Sequence, residues 1–169
     1  MKWKLLLSSV ALMLATRGQV FAQTQVTYTG VNTSSVSTLK GASLDQGHWV
    51  GFQELMGIRV DDSGKGPFHN VTTHIATIVF VDKGVWQSRG YETHTDKDGD
   101  KVVWEISSVA DPQHPGTGNG TGKILAATGK FAGMEGTMTF VLQVMQGFPE
   151  GTARTICKEN MKITVRNPT

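Results

Sequence analysis

Glu54 is the side chain whose position asks most directly for chemistry. In "VGFQELMGIRV", Val50, Phe52, Glu54, Met56, Ile58 and Val60 alternate, and the period of two along a strand puts all six on one face. A carboxylate on an otherwise apolar face is costly unless it is paired or protonated. Glu54 is therefore the candidate general acid or base, expected to face a hydrophobic interior. The structural alternative is that a bend at Gly51 or Gly57 turns it outward, or that Arg59 or Arg89 pairs with it.

The other reactive side chains carry weaker signals. Asp96, Asp98 and Asp100 in "TDKDGDK" alternate like the start of a calcium loop. The glycine stands at 99 rather than after Asp100, and the twelfth position is Ser107. Asp98-Gly99 between two alternating runs reads as a hairpin turn instead. The five histidines, at 48, 69, 74, 94 and 114, show no tight ligand spacing. A zinc site would need His74, His94 and a carboxylate brought together across strands. Nothing in the spacing asks for it, so solvated or hydrogen-bonded histidines are expected and no metal is. Cys157 is the single cysteine and reads as a small buried hydrophobe. "ATGKFAGMEG" (127–136) lacks the spacing of a phosphate loop, and no helix is expected behind it. Gly129, Gly133 and Gly136 read as a structural turn, with Phe131 tucked beneath it.

These side chains need elements to hold them, and the elements read as strands. Alternating or β-branched runs cover 25–29, 48–60, 69–81, 84–95, 101–109, 121–128, 136–145 and 152–165, with short Gly, Pro and Asp connectors. No window beyond the N-terminus holds a 3.6 period. Residues 23–45 are expected to be partly extended or loop-like, with Ser/Thr-rich 30–43 a long loop or arm, and 110–120 is a second irregular stretch. Within the fourth run, Arg89 and Tyr91 share one face and Glu92 and His94 the other. Arg89, Tyr91 and Trp104 are candidate pocket residues; Trp49 and Trp86 read as core. Eight antiparallel strands permit a closed barrel or a sandwich, and a barrel removes the exposed edges.

Residues 1–22 read as a secretory signal peptide: Lys2 and Lys4, an apolar run from Leu5 to Ala15, and "VFA" before Gln23. Residues 23–169 then form one domain of 147 residues, secreted or periplasmic, with 13 basic against 14 acidic side chains. No basic patch points to nucleic acid, and no second apolar stretch approaches membrane-spanning length. A single cysteine leaves no internal disulfide.

"ATGKFAGMEG" followed by "TMTF" resembles the Gly-Thr-Gly-Lys-Phe-x-x-x-x-Gly segment of the allene oxide cyclase and dirigent barrel superfamily. "YETHTDKDGDKVVWEI" (91–106), with "GTGK" at 120–123, is similar to the hairpin and strand of secreted bacterial members. The resemblance spans about residues 70–145 and implies an all-β fold, a single eight-stranded antiparallel barrel. It implies no cofactor and a few polar groups, a glutamate among them, in an apolar barrel. Two functions stay open: a secreted barrel that binds a small apolar molecule and isomerises or cyclises it, or a non-catalytic envelope or extracellular interaction protein. The sequence does not specify an oligomeric state.

Overall fold

The computed structural model describes residues 23–145 and 153–166. The leader expected over 1–22 lies outside the described residues. Eight antiparallel strands close into a barrel in sequence order: β1 Gln23–Asp45, β2 His48–Asp61, β3 Val71–Asp82, β4 Val85–Thr95, β5 Lys101–Ala110, β6 Thr117–Ala127, β7 Glu135–Met145 and β8 Arg154–Arg166. The ring is completed by β1, which pairs with β2 along one edge and β8 along the other. Closure gives every strand a neighbour on both sides over the body of the barrel, which removes the open edges of a flat sheet there.

Two boundaries differ from the sequence reading. The stretch 30–43 is strand, not loop. Asn32 and Ser34 alternate inward while Thr29, Thr33 and Ser35 face solvent, a pattern that a polar strand satisfies as well as an apolar one. Pairing with β8 ends at Ser35, after a shared run from Gln23. Beyond a bulge between Val36 and Thr38, β1 pairs with β2 alone and forms an arm. The second irregular stretch is a turn only as far as Gly116, because β6 begins at Thr117. Its Gly118 and Gly120 face inward, and their missing side chains leave the space that Trp86 and Phe140 fill.

One end of the barrel is plugged. The β2–β3 loop delivers Phe68, and the 3-10 turn Gly129–Phe131 delivers Phe131; their rings stack 5.5 Å apart. Trp104, Val102, Met138, Met161 and Ile163 complete this buried cluster. Gly129 and Gly133 hold φ of +54° and +77°. Gly136 does not take a positive φ. Its need is for space, since a Cβ there would meet the Lys162 carbonyl oxygen at 2.6 Å. The Asp98-Gly99 turn between β4 and β5 is closed by Asp96 Oδ1, which accepts from the backbone N–H of Asp98 and of Asp100, each at 2.9 Å. Lys130 pairs with Asp96, and its backbone N–H donates to Asp100 at 3.0 Å, which ties the two turns together.

Candidate functional site

Above the plug, the inward faces of the strands change from apolar to polar and then open into a cavity. The polar layer draws on β1, β2, β3, β4 and β8. Thr73 donates to Asn32 Oδ1 at 3.0 Å, and Asn32 donates its Nδ2 hydrogen to Glu92 Oε1 at 2.7 Å. His94 Nε2 lies 3.0 Å from the same oxygen. Arg59 Nε donates to Glu159 Oε2 at 2.8 Å, and its Nη1 donates to the Phe68 carbonyl at 2.8 Å and lies 3.5 Å from Asp61. Each of these side chains is buried. Burial of charge at this density is tolerated because the members pair with one another, although Arg59 Nη2, Asp61 Oδ2 and His94 Nδ1 have no hydrogen-bond partner among the described residues.

The charges do not balance. Among the described residues, three buried carboxyl groups stand against two buried bases: Arg59 pairs with Asp61 and Glu159, and the His94 imidazole with Glu92. Burial and the neighbouring Glu92 push the Glu159 carboxyl up to about 7, against the opposing pull of His94 and Arg59. Asp61 goes the other way. Burial alone would raise it, but the Ser63 hydroxyl and backbone N–H, with Arg59, hold it below the ordinary carboxylate value. Glu159 is thus poised to exchange a proton near neutral pH, which is what a general acid or base requires.

The cavity has a volume of about 260 Å³, slightly below the ~300–1,000 Å³ typical of small-molecule sites. Its walls are Leu55, Ile75, Ile106, Phe140 and Leu142, with Trp86 and Val144 toward the end where β3 turns into β4. Thr77, Ser88, Ser108 and Thr155 add hydroxyls, and the floor is Glu92 and Glu159. Arg59, Asn32 and His94 stand behind that floor. Cys157 also lines the wall, its thiol pushed far up by burial and by the two glutamates. It is not an activated nucleophile.

Glu92, His94 and Glu159 present donor atoms that lie within 4.8 Å of one another, a spacing that a metal ion could span. Their hydrogen bonding speaks against that use. His94 Nε2 is the nitrogen turned to Glu92. Nδ1 is buried beside Trp104 and Phe68 with no hydrogen-bond partner among the described residues. A metal-bound histidine instead donates from its other ring nitrogen to an acceptor, which Nδ1 lacks among the described residues.

The expected catalytic residue is elsewhere. Glu54 faces outward, with a third of its side chain exposed, 3.4 Å from His74 on the outer wall. The face of β2 that looked like core is the outer one: Phe52, Met56, Ile58 and Val60 are all exposed. Its inner face carries Gln53, Leu55, Arg59 and Asp61, since the buried network needs Arg59 and Asp61 inside. Arg89 and Tyr91 also lie on the outer wall, not in the cavity, and Trp104 is sealed in the plug beneath the network. The face that Arg89 and Tyr91 leave free, that of Glu92 and His94, is the one that forms the site. A signal for this was present. Trp104 and Val102 pair with Glu92 and His94, and the wholly apolar face Val102-Trp104-Ile106 marks the inside of the β4–β5 hairpin.

Among the described residues, no helix is long and apolar enough to cross a membrane. No family model matches the chain, and no curated protein matches it.

Proposed function

We propose that the protein is an exported barrel that takes a small, mainly apolar molecule into its cavity and acts on it as a cofactor-free isomerase or cyclase. Glu159 is the proton-transferring group in this reading and Glu92 its carboxylate neighbour. The observation that carries it is an apolar cavity floored by two buried carboxyl groups, one of them raised to about 7. An isomerisation or cyclisation of this kind moves a proton onto one atom of the bound molecule and takes one from another. A protonated and an ionised carboxyl side by side perform both halves, and the pair ends with as many protons as it began. The apolar walls exclude water and hold the molecule against the floor.

A second reading, a non-catalytic interaction protein of the envelope or extracellular space, is favoured by the outer wall. Phe52 pairs with Ile78 and Val50 with Phe80 across β2 and β3, and Phe52, Ile78, Phe80, Met56 and Ile58 are exposed together. Contiguous exposed apolar surface marks a place where something else binds. One experiment separates the two. Titration with 1-octanol, followed by methyl NMR, should move Leu55, Ile75, Ile106 and Leu142 if the cavity is the site. If those methyls stay fixed while Met56, Ile58 and Ile78 move, the second reading holds.

A further inference from the structure

We propose that the molecule taken into this cavity carries a primary ammonium group on an apolar body, and that Glu92, Glu159 and Thr77 receive that group. The inference rests on the cavity reading above and names the ligand class it implies.

The argument begins with which charges face the cavity. Its lining contains Glu92 and Glu159, whereas Arg59 and His94 stand behind them. A molecule entering the barrel therefore meets two carboxyl groups and no cation at the floor. Three buried carboxyls face one guanidinium and the His94 imidazole, so the layer holds more acids than it has bases to neutralise them. A buried layer in that state is completed by a proton or by a cation supplied from outside. The cavity is the open route to it.

Thr77 adds an independent observation. It is buried, lines the cavity, and its Oγ1 has no hydrogen-bond partner among the described residues. Thr77 pairs with Gly90 on β4, two residues from Glu92 on the same inward face, so the two side chains are diagonal neighbours. An unpaired buried hydroxyl is costly unless a ligand or water satisfies it. A primary ammonium has three N–H donors and no acceptor. Two carboxylates and a hydroxyl oxygen match it donor for acceptor. An anionic head group would instead meet two carboxyls in a low-dielectric site, where like charges repel strongly. The apolar walls above fix the rest of the molecule as hydrocarbon or aromatic.

The test uses three probes with one chain and three heads, octylamine, 1-octanol and sodium octanoate, titrated calorimetrically into the wild-type protein at pH 8. Octylamine should bind about ten-fold or more tighter than octanol, the size expected of hydrogen bonds to charged groups, and octanoate should bind weakest. Backbone NMR of the octylamine complex should show shifts at Thr77, Glu92 and Glu159. Octanoate binding as tightly as octylamine, or octylamine shifts confined to the outer wall, would overturn the inference. Equal binding of all three heads inside the barrel leaves the cavity reading standing and removes the ammonium preference. Failure of all three to bind removes the cavity reading, and this inference with it.

Discussion

Arg59 on β2 reaches Glu159 on β8 by crossing over β1, and it crosses at Gly30. Gly30 pairs with Asp61 on one side and with Glu159 on the other. A Cβ at Gly30 would lie 2.8 Å from Arg59 Nη2 and 2.5 Å from the Val60 carbonyl oxygen. The bare backbone at this position is what lets a guanidinium bridge two strands that are not neighbours.

Gly30→Ala should therefore destabilise the barrel by about 1–3 kcal/mol, the usual cost of forcing atoms into a filled interior. Urea unfolding measures it. A variant as stable as wild type would show that Arg59 and the β2 backbone move aside freely and that the crossing is not tightly built.

The pH dependence follows from Glu159. Its carboxyl is raised in the folded protein from an ordinary value of 4.5 to about 7. Between those values the folded state holds a proton that the unfolded chain releases. The stability contributed by that proton is fully present at acid pH and is lost as pH rises from about 4.5 through about 7. Glu159→Gln keeps the shape and removes the titration. Urea unfolding across pH 5 to 8 should show a flatter profile for Glu159→Gln, with the variant gaining on wild type toward pH 8. Parallel profiles would mean that Glu159 titrates alike in both states.

The turn after β6 has its own test. Gly129 sits at φ +54°, and a Cβ there would lie 1.7 Å from Asp100 Oδ1. Gly129→Ala should cost about 1–3 kcal/mol from backbone strain and displacement of Asp100. Lys130→Ala removes a half-exposed ammonium from Asp96 and should cost less than Gly129→Ala. Thermal or chemical unfolding of the two variants ranks them, and the reverse order would contradict the turn geometry.

The barrel was legible because alternation, glycine and short connectors are local signals, and seven of the eight strands announce themselves within a dozen residues. The site was not, because it is assembled from single residues scattered from Asn32 to Glu159. Glu54 misled for a definite physical reason. Reading the apolar face of β2 as core assumes that the interior is apolar at that height, whereas the inner face there serves a buried ion network. Arg59 and Asp61 on the opposite face were the warning, yet in sequence they look like solvent-facing charges. Glu92 and His94 were correctly placed on one face of their strand. Only the register with Trp104 and Val102 shows that the face is the inner one. Glu159 shares its face with Cys157, Met161 and Ile163 while Lys158, Asn160 and Lys162 take the other, so here the period of two did mark a carboxylate as inward.

The central claim is that the barrel interior receives a small apolar molecule. The most direct measurement is diffraction from crystals of the protein exposed to iodobenzene, a rigid apolar probe with an anomalous scatterer. The account predicts an iodine peak inside the barrel, between Leu55, Ile106 and Phe140 and above Glu92 and Glu159. Peaks confined to the outer wall around Phe52 and Phe80, or an interior with no iodine, would contradict it.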